Sequence, residues 1–133
     1  MNTMRWIVHS SATFEARHAL ATYKGEAEER HSHQWKVAVR VGTQELNSEG
    51  YALDFHDVHG ILSDAVAGLD GTDLNDHPTI GDPSPTAEHL AEVLAEFLAP
   101  TFERIGGRLL SVSVWEGPEN RVDYMLDSPA ASG

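Results

Sequence analysis

The sequence predicts an α+β fold in which a four-stranded antiparallel sheet carries two helices on one face. Two stretches near the N-terminus and two near the C-terminus alternate between apolar and polar residues, as half-buried strands do. Two stretches between them repeat apolar residues at helical spacing. The resulting order, strand, strand, helix, helix, strand, strand, gives two hairpins and a helix pair that covers one face of the sheet.

The first predicted strand spans residues 5–18 and the second spans residues 34–42. Every second position of the first strand, with few exceptions, is apolar: Trp6, Val8, Ala12, Phe14 and Ala16. The second strand alternates more clearly, with Trp35, Val37, Val39 and Val41 on one face and Lys36 and Arg40 on the other. The polar segment 21–30 contains a glycine and is predicted to be a loop.

Two amphipathic helices are predicted in the middle of the chain. The apolar stripe of the first consists of Val58, Ile61, Leu62, Ala65, Val66 and Leu69, and that of the second of Ala87, Leu90, Ala91, Leu94, Phe97 and Leu98. We expect Ser84 to cap the second helix, Pro85 to take its first position and Pro100 to end it. The segment 71–85, rich in Gly, Pro and Asp, is predicted to be a long loop.

Two strands, within residues 108–117 and 121–126, close the predicted fold. We expect one domain over residues 1–127 and a disordered tail over residues 128–133. The N-terminal segment lacks the apolar core of a signal peptide, and no apolar run approaches the roughly 20 residues of a membrane span. These features predict a cytoplasmic protein. The open edges of the sheet predict a homo-oligomer, because open edges tend to be covered or paired.

The charge balance excludes several classes of partner. The chain has 133 residues, with 9 Lys and Arg against 21 Asp and Glu, which gives a net charge of −12. Such an acidic surface repels phosphate backbones and anionic lipids, so nucleic-acid and membrane partners are not expected. The sequence contains no cysteine, which excludes disulfides, thiolate metal sites and a thiol nucleophile.

The histidine pair in the stretch RHSHQW is the strongest chemical signal in the sequence. Residues i and i+2 of a strand project to the same face, so His31 and His33 can share a metal ion if they begin the second strand. His18, at the end of the neighbouring strand, offers a third nitrogen. Three imidazoles with an open position are typical of a catalytic zinc site. Since the chain has 8 histidines, an incidental pair remains the alternative on spacing alone.

Six stretches resemble the 6-pyruvoyl- and 6-carboxy-tetrahydropterin synthase family in order and spacing. They are FEARHAL, YKGEAEERHSHQWKVAV, GYALDFHDV, LDGTDLND, SPTAEHLAEVL and VSVWEG, and the similarity extends over roughly residues 12–117. The resemblance implies the tunnelling fold (T-fold), in which the sheets of several subunits join into rings, often as hexamers with active sites at subunit boundaries. It also implies that His18, His31 and His33 bind zinc.

The resemblance further implies a pterin-like small-molecule substrate, held by Thr86, the backbone around Ala87, Glu88 and Glu116. A carboxylate suits this role because it accepts two parallel hydrogen bonds from an amino-pyrimidinone edge. Glu116 shares its parity with the apolar residues of the predicted strand, which favours an inward position. A surface role for Glu116, and a helix-dipole role for Glu88 in the first helical turn, remain alternatives.

Two catalytic residues of the family are replaced in this chain. The family has a cysteine at the position of Ala27, and it has a histidine where the triplet Leu69-Asp70-Gly71 ends in glycine. Losing a general acid or base typically removes about 10²–10⁴ in rate. Ordinary 6-pyruvoyl- or 6-carboxy-tetrahydropterin synthase activity is therefore not expected.

Carboxylates near the replaced cysteine are candidates for its role. A branch of the family carries glutamate there and cleaves the dihydroneopterin triphosphate side chain to a hydroxymethyl group. Glu26 and Glu28, which flank Ala27, are therefore candidate catalytic residues, with a solvated acidic loop as the alternative. The resemblance makes Asp70 a third candidate, as the member of the family's Asp–His pair that this chain keeps, and His77 is a candidate displaced imidazole, with an exposed loop histidine as the alternative. We predict a zinc-dependent lyase or cyclase acting on dihydroneopterin triphosphate or a related metabolite. The alternatives are a non-catalytic zinc- and pterin-binding protein, or an enzyme of a specialised pathway with a non-pterin substrate.

Overall fold

The computed structural model describes residues 3–126, so the predicted tail over residues 128–133 lies outside the described residues. In chain order the elements are β1 (Trp6–His18), β2 (His31–Thr43), α1 (Phe55–Ala67), β3 (Thr72–Asp73), α2 (Ala87–Arg104), β4 (Arg108–Glu116) and β5 (Asn120–Met125). A 3₁₀ helix, Leu74–Asp76, follows β3. Among residues 3–126, no helix is long and apolar enough to span a membrane.

The strands form one sheet in the order β3-β1-β2-β4-β5. β1, β2, β4 and β5 pair antiparallel with their neighbours, whereas β3 lies parallel to β1. The predicted four-stranded, wholly antiparallel sheet is therefore wrong on this point, because the sheet has five strands and is mixed. β3 contains only two residues, which is too short for an alternating pattern. The backbone N–H of Gly71 donates to the Glu15 carbonyl at 2.7 Å and brings β3 alongside β1.

Both helices pack on the same face of the sheet, as the sequence predicts. α1 covers β1, while α2 covers β4 and β5. The largest fully buried side chains between the two layers include Trp35, Leu62, Leu90, Leu98 and Phe102. The opposite face of β2 carries the polar positions of the alternating pattern, among them the exposed Lys36. In the middle of β2 this segregation buries the apolar parity against the helices and leaves the other parity exposed or half-buried, whereas β4 also buries Ser111 and Ser113 of its other parity.

α1 begins three residues before the first apolar position of its predicted stripe. Asp54 is the N-cap, and its carboxylate accepts a hydrogen bond from the His56 N–H at 2.7 Å. The helix ends at Ala67, with Gly68 as the C-cap. Leu69, the last residue of the predicted stripe, is buried in the turn that follows.

The N-terminus of α2 corrects the prediction for this segment. Thr86 is the N-cap, and its hydroxyl accepts a hydrogen bond from the His89 N–H at 3.0 Å. Pro85 lies before the helix rather than at its first position. The hydroxyl of Ser84, the predicted cap, accepts a hydrogen bond from the Ala21 N–H at 3.1 Å. Ser84 therefore ties the long loop before α2 to the loop that follows β1.

The C-terminus of α2 also differs from the prediction, because Pro100 does not end the helix. The helix continues to Arg104. Pro100 lies on the exposed side of the helix, where the loss of one backbone hydrogen bond is offset by the contacts of the following turn. Phe102 in that turn is fully buried and anchors it in the core.

Candidate metal centre

The end of the sheet brings together the three predicted zinc ligands and Glu116. β2 begins at His31, and the register of the β1–β2 pair sets His18 directly opposite it. In the β2–β4 pair, Glu116 lies opposite Trp35, two residues after His33. All four side chains share the parity of the buried core, so they project to the face that the helices cover. Each offers one ligand atom, and these atoms lie within 4.8 Å of one another.

The distances in this cluster suit a four-coordinate metal ion. The Nε2 atom of His18 lies 3.1 Å from His31 Nε2 and 2.7 Å from Glu116 Oε1. His33 Nε2 lies 3.9 Å from the same Glu116 oxygen. Zinc bonds of about 2.0–2.1 Å at tetrahedral angles separate ligand atoms by about 3.3 Å. The measured separations bracket that value, so these residues fit a tetrahedral ion with small side-chain adjustments.

Two backbone carbonyls set the orientation of the imidazoles. His18 Nδ1 lies 2.8 Å from the Pro85 carbonyl oxygen, and His31 Nδ1 lies 3.0 Å from the Glu29 carbonyl oxygen. A carbonyl only accepts hydrogen bonds, so both Nδ1 atoms carry the proton. In the neutral rings the Nε2 lone pairs then face each other across 3.1 Å, which is repulsive unless a proton or a cation lies there. Histidines that bind metals are supported through the second ring nitrogen in this way.

Without a metal, the cluster favours a proton on His18. Burial opposes the charged ring, but the hydrogen bond to Glu116, the Pro85 carbonyl and the charge of Glu28 outweigh it and raise the pKa of His18. The same hydrogen bond from His18 lowers the pKa of Glu116. Burial, with the neighbouring imidazoles, lowers the pKa of His33 against the opposing charge of Glu116. A metal that binds here must displace the proton between His18 and Glu116.

Trp35 forms the apolar floor of the cluster. Its ring is fully buried, stands edge-on to His18 at 4.9 Å between centroids and to His33 at 6.1 Å, and stacks against Phe14. The indole Nε1–H donates to the Ala16 carbonyl at 3.2 Å. Because packing and this hydrogen bond hold the Trp35 side chain in place, it limits the rotamers that His18 and His33 can adopt.

Of the two candidate bases beside Ala27, Glu28 lies next to the cluster. Its carboxylate accepts a hydrogen bond from the Leu20 N–H at 3.0 Å, and its own N–H donates to the Leu20 carbonyl at 3.3 Å. Oε1 of Glu28 is 3.8 Å from His31 Nδ1. Glu26 is exposed in a tight turn, where its backbone exchanges hydrogen bonds with Tyr23 at 2.7 and 3.1 Å. The loop therefore presents Glu28, and not Glu26, to the histidines.

The other candidate acid–base residues do not belong to the four-residue cluster. One carboxylate oxygen of Asp70 accepts a hydrogen bond from the Glu15 N–H at 2.9 Å on β1. Gly71 has open space where a side chain would begin. His77 Nδ1 accepts hydrogen bonds from two N–H groups of its own loop, at 3.1 and 3.0 Å. Asp70 and His77 thus accept hydrogen bonds from backbone N–H groups, and position 71 faces open space.

The predicted substrate-binding segment Thr86–Glu88 starts immediately after the carbonyl that supports His18. Ala87 is the first residue of α2, and Glu88 is exposed in the first turn, where the helix dipole stabilises a carboxylate. The supporting carbonyls of Pro85 and Glu29 were not predicted. Any residue type can supply a backbone carbonyl, so the sequence does not mark these two acceptors. The only available signal is Pro85, which comes just before the N-cap of α2, where the chain turns toward the site.

A sheet that ends in three imidazoles, two of them supported by backbone carbonyls, and a carboxylate defines an α+β protein with a histidine-rich candidate metal centre. Residues 7–127 match the family model described as 6-pyruvoyl tetrahydropterin synthase, and the chain belongs to that family.

Individual relatives agree with this membership. The 6-carboxy-5,6,7,8-tetrahydropterin synthase of Aquifex aeolicus is 24% identical over 91% of this chain and 98% of its own length. Among solved structures, the Caenorhabditis elegans 6-pyruvoyl tetrahydropterin synthase is similar with a TM-score of 0.70, at 16% identity over 94% of this chain and 99% of the other. A Plasmodium vivax 6-pyruvoyltetrahydropterin synthase variant, described as a catalytic-residue mutant in which glutamate is replaced by alanine, has a TM-score of 0.64 at 15% identity, over 93% and 100%. The two solved structures share the fold of this chain.

Proposed function

We propose that this protein is a zinc-dependent lyase that acts on the side chain of a reduced pterin, with 7,8-dihydroneopterin triphosphate as the first candidate substrate. The observation that carries the proposal is the convergence of three imidazoles, two of which have Nδ1 fixed by a backbone carbonyl. Membership of the 6-pyruvoyl tetrahydropterin synthase family supports the substrate class.

The metal would be held by the Nε2 atoms of His18, His31 and His33, which face one another. Three neutral imidazoles without a thiolate suit zinc among the common divalent ions, and the chain has no cysteine to bind in their place. When bound, zinc polarises a hydroxyl or carbonyl oxygen of the substrate side chain. The metal also supplies positive charge for an anionic substrate in a protein whose net charge is −12.

Glu116 and the segment Thr86–Glu88 would hold the pterin ring. The Glu116 carboxylate is one-third exposed beside the cluster, so a ligand can reach it. A carboxylate accepts two parallel hydrogen bonds from the amino-pyrimidinone edge, which fixes both the position and the orientation of the ring. Thr86 and the backbone at Ala87 lie next to Pro85, whose carbonyl contacts His18. The ring and the metal would therefore be held by connected parts of the chain.

Glu28 would transfer the proton that the family's cysteine handles. Its carboxylate is three-quarters buried beside His31 and is fixed by the Leu20 N–H. The Plasmodium vivax protein, which has a glutamate described as a catalytic residue, supports a carboxylate in this role. With Ala27 and Gly71 in place of the family's cysteine and histidine, we expect cleavage to a shortened side chain, such as hydroxymethyl, rather than ordinary synthase chemistry.

The sheet edges support a homo-oligomer, for which a hexamer is the expected size. β5 has β4 as its only partner strand within residues 3–126, and β3 covers only two residues of the outer edge of β1. Light scattering after size-exclusion chromatography should give about six times the chain mass of 14.6 kDa. A mass near that of one chain would contradict this part of the proposal.

The activity is tested with zinc-loaded protein, 7,8-dihydroneopterin triphosphate and identification of products by mass spectrometry. Glu28→Gln should lower kcat by about 10²–10⁴ without changing zinc content, while Glu26→Gln, in the same loop, should stay near wild type. No turnover by the wild type, or equal turnover by Glu28→Gln, would contradict the lyase.

A second candidate function is a zinc- and pterin-binding protein without catalysis. The observation that favours it is the replacement of both family residues, by Ala27 and Gly71. Pterin binding measured by calorimetry, in the absence of any product, would select this function.

A further inference from the structure

Glu116 makes its two described ion-pair contacts with imidazoles that would bind the metal. Oε1 lies 2.7 Å from His18 Nε2 and 3.9 Å from His33 Nε2, and it belongs to the set of four ligand atoms within 4.8 Å of one another. These two separations lie on either side of the about 3.3 Å expected between ligand atoms of one tetrahedral ion. The carboxylate therefore occupies the side of the cluster where a fourth coordination position would lie.

A site with four protein ligands and a site with three differ in function. Four-ligand zinc sites are closed and structural, whereas catalytic sites keep one position for water or substrate. The cluster as folded, with three imidazoles and a carboxylate, has the number of protein ligands of a closed site. An open site requires the Glu116 carboxylate to move away.

The fold allows this movement without a change of the backbone. Glu116 is the last residue of β4, and its backbone is paired with Trp35 on one side and Asn120 on the other. The side chain has three rotatable bonds and is one-third exposed, so its carboxylate can swing toward the solvent while the strand stays in place. Movement of the Glu116 side chain alone is therefore enough to free the fourth coordination position.

We propose that Glu116 is the fourth ligand of the metal in the substrate-free protein. When the substrate binds, its ring forms hydrogen bonds with this carboxylate, and the fourth coordination position of the metal becomes free. The proposal rests on the metal site of the proposed function. The same two oxygens cannot bind the metal and accept two hydrogen bonds from an amino-pyrimidinone edge at once. Ring binding and the opening of the fourth position are therefore coupled, and the metal is shielded from other small ligands until the ring arrives.

The first test compares Glu116→Gln and Glu116→Asp with the wild type. The second variant keeps the charge but shortens the side chain by one methylene. Zinc affinity, measured by competition with a chelator, should fall at least tenfold in both variants, because even indirect partners of a metal site contribute about 10–100-fold. Glu119→Gln, an exposed residue in the turn after β4, is the matched control and should retain wild-type affinity.

The second test probes the fourth position directly in cobalt-substituted protein. Azide binding, followed by the visible absorption of cobalt, should be at least tenfold tighter in Glu116→Gln than in the wild type or Glu119→Gln. Addition of 6-methylpterin, which has the ring but no side chain to reach the metal, should tighten azide binding in the wild type and leave Glu116→Gln unchanged.

The outcomes separate this proposal from the proposed function. If the wild type binds zinc and Glu116→Gln matches it in zinc and azide affinity, Glu116 is not a ligand, and this proposal fails while the metal site stands. If 6-methylpterin binds without changing azide affinity in the wild type, the coupling is refuted. If the wild type binds neither zinc nor cobalt, both proposals fail.

Discussion

Replacement of Trp35 by phenylalanine tests whether the floor of the candidate metal centre also stabilises the fold. The indole is fully buried, and its N–H is the donor to the Ala16 carbonyl. Trp35→Phe leaves that carbonyl without this donor, which costs about 1–3 kcal/mol. The smaller ring also loses two buried carbons, worth about 1.6 kcal/mol at 0.8 kcal/mol each. The free energy of unfolding should therefore fall by about 2.6–4.6 kcal/mol.

The matched control is Trp115→Phe on the other face of the sheet. Trp115 is partly exposed and lies against Lys36 Nζ, 4.6 Å from the ring centroid, and Arg121. A phenyl ring keeps part of these cation–π contacts, so the loss should stay below about 1 kcal/mol. Urea unfolding of the metal-free variants, followed by far-UV circular dichroism, measures both values. A difference of less than about 1 kcal/mol between the two variants would refute the role assigned to Trp35.

Three further changes test local features of the fold by urea denaturation. Thr86→Ala removes the acceptor that caps α2 and should lower stability by about 1 kcal/mol, so an unchanged midpoint would contradict the assigned cap. Gly60→Ala lies in α1 with open space around the new methyl group and should raise stability by about 0.8–1 kcal/mol, whereas a decrease in stability would contradict the open space at this position. Gly81→Ala would bring its Cβ into a clash with the Asn75 carbonyl oxygen and should cost more than about 1 kcal/mol, and a neutral effect would contradict the close approach.

The sequence predicts those parts of the fold that have a long, regular pattern. The alternation of Trp35, Val37, Val39 and Val41 runs through the middle of β2, which extends beyond it at both ends. β3 consists of two residues and has no periodicity of its own, so only tertiary pairing with β1 reveals it. The expectation that a proline ends a helix also fails where packing outweighs it. At Pro100 the helix continues, because the following turn is buried.

The site is predictable to the extent that it depends on strand parity. The i, i+2 spacing of His31 and His33 fixes their common face, and pairing with the end of β1 adds His18. The carbonyls of Pro85 and Glu29 that fix the ring tautomers come from loops, whose paths no residue pattern encodes. The contact of Glu116 with His18 likewise depends on the register between β2 and β4, which the sequence alone leaves open.

The zinc content of a double variant tests the metal centre most directly. Wild-type protein, His31→Ala/His33→Ala and the control His56→Ala/His59→Ala, which removes two exposed imidazoles of α1, are equilibrated with zinc, desalted and analysed by mass spectrometry for metal. We predict one zinc per chain in the wild type and the control, and none in His31→Ala/His33→Ala, because His18 and Glu116 alone leave two of the four protein positions empty. Equal zinc per chain in all three proteins would contradict the metal centre.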